Sequence, residues 1–76
     1  MDVFEIAHRG VTYQFEQTEG GYFAQVADLP GCFSEGETLD EAFANIREAL
    51  ELYIDGSMAE NLPLPERYRT LFARAS

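Results

Sequence analysis

Residues 38–56 read TLDEAFANIREALELYIDG, and this stretch decides the fold because it carries the strongest helix signal in the chain. Thr38 is a favoured helix N-cap residue, and Glu41 three positions later completes a capping-box pattern. Gly56 predicts the C-terminal end of the helix. Leu52 falls on the polar side, where it is either simply exposed or part of an interface. The apolar residues follow three- and four-residue spacing and form one stripe: Leu39, Ala42, Phe43, Ile46, Ala49, Leu50, Tyr53 and Ile54.

The chain before this helix has the period-two pattern of an antiparallel sheet. In residues 11–17, Val11, Tyr13 and Phe15 alternate with polar side chains, as in a strand with one buried face. Residues 3–8 show a weaker alternation. A tight turn at Arg9-Gly10 would join the two segments into a hairpin.

Two further strands are predicted between the hairpin and the helix. Glu19-Gly20-Gly21 is a turn signal, and residues 22–27 follow it as a third strand. This strand has apolar groups on both faces, which predicts that it is covered on both sides. Pro30 and Gly31 shape the turn that ends it. Residues 32–35 form a short fourth strand that Gly36 terminates.

The apolar helix stripe can bury only against the apolar face of the sheet. We therefore expect an α+β fold, in which an antiparallel three- to four-stranded sheet carries one long helix on one face. Residues 1–76 are expected to form a single domain. Residues 66–75 read as a short helix or as a last strand, and the helix is favoured because Tyr68, Leu71 and Phe72 have helical spacing.

Composition excludes several classes of protein. Fourteen acidic residues against five arginines and no lysine give a formal net charge of −9, the wrong sign for coating nucleic acid. Schiff-base and P-loop lysine chemistry are excluded. Arg67, Arg69 and Arg74 are more plausibly used against acidic protein surface than against phosphate. The sequence lacks a transmembrane segment, a signal-peptide pattern and a second cysteine, which predicts a reduced, cytoplasmic protein without membrane attachment.

Few residues suggest catalysis. His8 reads as a surface residue at a strand end, and Cys32 as a small buried side chain beside the turn. Paired carboxylates around Asp28 could in principle hold Mg²⁺ for phosphodiester hydrolysis, but helix capping and solvation already explain most of them. We expect no enzyme activity, no catalytic residue, no metal site and no cofactor.

Two motifs at fixed spacing resemble the HicB family of antitoxins. The first is Gly20-Gly-Tyr-Phe-Ala-Gln-Val-Ala-Asp-Leu-Pro-Gly-Cys32, and the second is Gly36-Glu-Thr-Leu-Asp-Glu-Ala42. Leu64-Pro65-Glu66 also resembles the family, so the similarity extends over roughly residues 11–66. The chain departs from typical members because residues 1–76 offer no C-terminal DNA-binding domain. The resemblance therefore does not by itself carry the family's autorepression over to this chain, and the acidic charge predicts no direct nucleic-acid binding.

The resemblance implies a partial RNase H-like fold without RNase activity. It also implies that the chain binds and neutralises a small basic mRNA-cleaving toxin of the HicA type. The acidic charge independently suits such a partner. The alternatives are a self-associating structural or regulatory module without a toxin, as a homodimer or tetramer at a sheet edge or the Leu52 side, and a residual Mg²⁺-dependent nuclease.

Charge complementarity nominates five exposed acids as the toxin-binding surface: Glu16, Glu19, Glu35, Glu37 and Asp40. The residues of the two motifs are interpreted as structural. Pro30 and Gly31 shape the turn, Gly36 ends the last strand, and Thr38 and Glu41 cap the helix.

Overall fold

The computed structural model describes residues 2–73, with side chains up to residue 70. The elements in chain order are β1 (Val3–His8), β2 (Val11–Thr18), β3 (Gly21–Val26), β4 (Phe33–Gly36), α1 (Leu39–Ala59) and α2 (Glu66–Ala73). This is the predicted α+β fold, with four strands. The C-terminal segment is a helix, as favoured from the sequence, and residues 74–76, including Arg74, lie outside the described part.

The four strands form one antiparallel sheet in the order β1-β2-β3-β4. The predicted first hairpin is confirmed: Arg9 and Gly10 connect β1 and β2 with φ values of 52° and 79°. Two consecutive positive φ values are what a two-residue turn needs to match the strand twist. The β1–β2 turn thus lies at one end of the strands, and the β2–β3 turn lies at the opposite end.

Helix α1 covers one face of the sheet, and the core lies between the two layers. Alternate residues of β2 point into it, so Val11, Tyr13 and Phe15 are buried. From the helix, Ile46 and Leu50 are buried against them. Burying each of these side chains contributes about 1.5–3 kcal/mol before chain entropy is counted.

The N-terminus of α1 is held by side chains of its own first turn. The Thr38 hydroxyl accepts a hydrogen bond from the Glu41 backbone N–H at 3.1 Å. The capping box departs from its usual form. The Glu41 carboxylate accepts a hydrogen bond from the backbone N–H of Glu37, the residue before the N-cap, at 2.8 Å. The side chain thus fixes the β4–α1 connection as well as the helix start.

The C-terminus of α1 corrects the sequence prediction, since Gly56 lies inside the helix and not at its end. The helix continues to Ala59, and Asn61 takes the left-handed conformation with φ of 57°. The N–H groups of Asn61 and Leu62 donate to the carbonyls of Met58 and Ser57 at 3.2 and 2.7 Å. This is a Schellman motif with asparagine where glycine is most common.

Because Gly56 occupies a helix interior, we expect Gly56→Ala to stabilise the protein. A Cβ at this position would meet nothing within 4 Å, so the substitution only removes backbone freedom of the unfolded chain. The expected gain in the free energy of unfolding is about 0.5–1 kcal/mol, measured by urea denaturation. A loss of stability would show that the C-terminal turns of α1 are not helical.

Helix α2 is fastened to the β3–β4 connection. Tyr68 is fully buried, and its hydroxyl donates to the Asp28 carboxylate. The Arg67 guanidinium pairs with the same carboxylate and lies 5.1 Å from the Tyr68 ring centroid. The predicted use of the C-terminal arginines against acidic protein surface is confirmed for Arg67.

Neither helix of the described residues has the length and apolarity that a bilayer crossing requires.

Candidate partner-binding surface

The five acids nominated from the sequence lie at one end of the sheet, which we call the acidic end. Glu16 is near the end of β2, and Glu19 is in the β2–β3 turn. Glu35 is near the end of β4 and Glu37 follows it, while Asp40 is in the first turn of α1. Pairing of Thr18 with Gly21 and of Tyr22 with Gly36 brings these segments side by side.

A shallow cleft opens at the acidic end. Its volume is about 370 Å³, and carboxylates from both sides of the β4–α1 connection border it. The Glu41 carboxylate already accepts a hydrogen bond from the Glu37 N–H. The lining residues are Thr18, Gly20, Gly21, Tyr22, Glu35, Gly36, Glu37 and Glu41. A cleft with this lining suits a cationic group and disfavours an anion.

Close backbone packing at Gly36 places α1 against the sheet at this end. A Cβ built on Gly36 would come within 2.8 Å of the Glu41 carbonyl carbon and 2.9 Å of the Ala42 Cα. Real Cβ atoms do not approach backbone this closely. The glycine thus lets the strand end and the helix start touch, which aligns the acids of the two elements.

Two of the arginines, Arg9 and Arg67, lie away from the acidic end. Arg9 occupies the β1–β2 turn at the opposite end of the sheet. Arg67 pairs with Asp28 in the β3–β4 connection, at that opposite end as well. Within residues 2–70, no ion pair other than Arg67–Asp28 is formed. The carboxylates of the acidic end thus form no ion pair with a cation of residues 2–70.

The sheet face turned away from α1, here called the outer face, carries an aromatic pair that the sequence did not predict. Phe23 and Phe33 stack with ring centroids 5.8 Å apart and an interplanar angle of 29°. Phe33 is 60% exposed. The prediction that β3 is covered on both sides is therefore wrong, since only the α1 side is covered. The sequence signal that could have predicted this pair is the presence of aromatic residues at outward positions of two neighbouring strands.

The residues considered for catalysis or metal binding in the sequence, Cys32, His8 and Asp28, have structural roles. Cys32 is buried, and burial raises the pKa of its thiol to about 11, which leaves it unreactive at neutral pH. His8 packs edge-on against Phe43 with centroids 5.4 Å apart, so it is more than the simple surface residue expected. Asp28 is occupied by Arg67 and Tyr68. In the part of the chain with described side chains, no three Asp, Glu, His or Cys residues are placed to hold a metal ion.

The chain matches a known protein family. Residues 12–74 match the family described as HicB-like antitoxin of bacterial toxin–antitoxin system. This range contains all of β3, β4, α1 and α2, and all of β2 except Val11.

Relatives carry names without an assigned activity. A UPF0150 protein of Synechocystis sp. is 47% identical over 51 residues, which are 67% of this chain and 65% of that protein. A UPF0150 protein of Helicobacter pylori is 41% identical over 58 residues, 76% of this chain and 81% of that protein. An uncharacterized 14.9 kDa protein of Haemophilus phage HP1 is 43% identical over 51 residues, 67% of this chain and 38% of that protein.

The chain thus spans just under two thirds of the Synechocystis relative and 38% of the phage relative. No solved structure matches the chain. The RNase H likeness implied by the sequence resemblance stays a prediction.

Proposed function

The chain belongs to the HicB-like antitoxins of bacterial toxin–antitoxin systems, and from that premise we propose that it neutralises a small basic toxin of the HicA type, an mRNA-cleaving ribonuclease. In this proposal residues 1–76 act as one cytoplasmic binding domain without catalytic activity. The observation that carries it is the set of carboxylates at the acidic end that pair with no cation of residues 2–70.

Binding by charge complementarity follows from the position of these groups. Opposite potentials speed the encounter of two proteins and select between partners. A toxin that binds RNA must present cationic side chains to phosphate. An acidic surface that covers those side chains competes directly with RNA, so occlusion of the RNA-binding surface suffices for neutralisation.

Glu16, Glu19, Glu35, Glu37 and Asp40 are proposed to provide this surface. All five lie at the same end of the sheet, whereas Arg9 and Arg67 lie at the other. A cationic partner is thereby oriented toward the acidic end. Glu41 and Thr38 contribute by holding the β4–α1 connection in place.

The test is co-expression of the cognate toxin gene with this chain in a growth assay. We expect the toxin alone to arrest growth and cleave mRNA, and the chain to restore growth and to co-purify with the toxin. Unchanged toxicity in the presence of well-expressed chain would contradict the proposal.

Two alternatives stay hypotheses. Self-association as a homodimer or tetramer has its structural openings at the two edge strands, β1 and β4, each of which pairs with one neighbour among the described residues, and at the exposed Leu52 side of α1. The residual-nuclease hypothesis has less support, because the Asp28 carboxylate on which it depends is taken by Arg67 and Tyr68.

A further inference from the structure

The aromatic pair on the outer face is set between two carboxylates. In the sheet register Glu16 is directly opposite Phe23 on one side, and Glu35 is directly opposite it on the other. Side chains opposite each other in an antiparallel sheet have Cβ atoms about 4.5–5.5 Å apart. Phe23, Phe33, Glu16 and Glu35 therefore form one patch, which we call the aromatic–acidic patch.

A polar ladder bounds this patch along the middle of the outer face. The Gln14 side-chain amide donates to the Glu5 carboxylate at 3.1 Å, and the Gln25 amide donates to Gln14 at 2.9 Å. These groups satisfy one another and need no partner. In contrast, Glu16 and Glu35 form no side-chain hydrogen bond or ion pair with the residues whose side chains are described.

The charges at the patch determine which occupant it accepts. A second copy of this chain would bring further carboxylates toward Glu16 and Glu35, and each copy carries a net charge of −9. Like charges brought face to face oppose binding. A cationic side chain is attracted by both carboxylates and by the faces of both rings.

Arginine fits this chemistry better than lysine. Its guanidinium is planar, so it stacks on an aromatic ring while its N–H groups reach a carboxylate in a bidentate arrangement. The chain contains the same combination internally. Arg67 lies over the Tyr68 ring at 5.1 Å and pairs with Asp28, and Arg47 lies 4.4 Å from the centroid of Phe43.

We propose that the aromatic–acidic patch is a receptor for an arginine side chain of a basic protein partner. This inference rests on the proposed function, so the partner is the toxin. Its arginine is an anchor at the part of the acidic end that contains Glu16 and Glu35. Phe23 and Phe33 supply the stacking platform, while Glu16 and Glu35 supply the acceptors.

The test uses a short capped peptide, acetyl-Gly-Arg-Arg-Gly-amide, titrated into the full chain and followed by NMR. We expect shifts centred on the rings of Phe23 and Phe33. The same peptide with citrulline for arginine keeps the shape but lacks the charge, and we expect it to bind about tenfold more weakly or not at all. Phe33→Ala and Glu35→Gln are each expected to weaken arginine-peptide binding about fivefold to tenfold.

Matched controls come from the helix side. Leu52 is 66% exposed on α1, close to the 60% of Phe33, and Glu51 is exposed beside it. Leu52→Ala and Glu51→Gln should leave peptide binding unchanged. Equal binding of the citrulline peptide, shifts centred away from the patch, or equal loss in the control variants would overturn the proposal.

Two further measurements separate this inference from the proposed function. If Phe33→Ala and Glu35→Gln neutralise and bind the toxin as well as the parent chain, the receptor is wrong while the antitoxin function stands. If the parent chain fails to neutralise the toxin, the antitoxin function is wrong. If light scattering shows a dimer that Phe33→Ala converts to a monomer, a second copy covers the patch and the receptor is wrong.

Discussion

Removing the charge of the acidic end should weaken toxin binding more than any other surface change. We expect a variant with Glu16, Glu19, Glu35 and Glu37 changed to Gln and Asp40 changed to Asn to lose about 100-fold in affinity. Four of the five acids are exposed as expected from the sequence, whereas Glu16 is half-buried. Each exposed charge contributes about 0.2–1 kcal/mol to a contact, and the five act together. Most of the loss should appear at low ionic strength, because exposed charges separated by more than about 10 Å are screened near 0.1 M salt.

The matched control changes the same number of charges elsewhere. Glu48, Glu51, Asp55, Glu60 and Glu66 are all exposed, on or beside the helices. Converting them to Gln or Asn alters the net charge equally, from −9, but leaves the acidic end intact. Isothermal titration calorimetry with the purified toxin compares the two variants. Equal losses would mean that total charge, and not the acidic end, determines binding.

A large loss of stability is expected for Gly36→Ala. Its Cβ would lie 2.8 and 2.9 Å from backbone atoms of Glu41 and Ala42, and backbone cannot move aside as a flexible side chain does. The strand end and the helix start would have to separate, which disturbs packing around Ala42. We expect a loss of about 3 kcal/mol or more, measured by urea denaturation.

Gly20→Ala provides the control for this substitution. Gly20 lies in the neighbouring β2–β3 turn, and a Cβ there would meet nothing within 4 Å. Its stability should change by no more than about 0.5 kcal/mol. A similar small change for Gly36→Ala would show that the tight approach of β4 to α1 is absent in solution.

The main elements could be predicted because local patterns and tertiary structure agree. The alternation of Val11, Tyr13 and Phe15 corresponds to the buried face of β2. The helical stripe that contains Ile46 and Leu50 corresponds to the buried face of α1. Turn chemistry at Arg9-Gly10 was equally local. Where one physical signal dominates a segment, the sequence is sufficient to predict the structure of that segment.

The errors arose where a local signal competed with a longer-range one. Gly56 reads as a helix end, but packing of the adjacent Ile54 and Ser57 carries the helix to the Schellman turn at Asn61. The aromatic residues of β3 read as evidence of cover on both faces, but a pattern cannot tell a covered face from an exposed binding face. The pairing of Asp28 with Arg67 and Tyr68 was not predicted, because these partners are about forty residues away in the chain.

The acidic end illustrates what charge alone can predict. Composition indicated an acidic protein suited to a basic partner, and the nominated acids are placed at one end by the strand register. Composition could not indicate that Arg9 and Arg67 lie at the other end. The segregation depends on the order and direction of the strands, which only the fold supplies.

The most direct measurement of the central claim is cleavage of RNA by the purified cognate toxin as this chain is titrated into the reaction. We expect cleavage to fall to background near one chain per toxin molecule. The variant lacking the acidic-end charges should need a large excess to achieve the same inhibition. Undiminished cleavage in the presence of excess folded chain would contradict it.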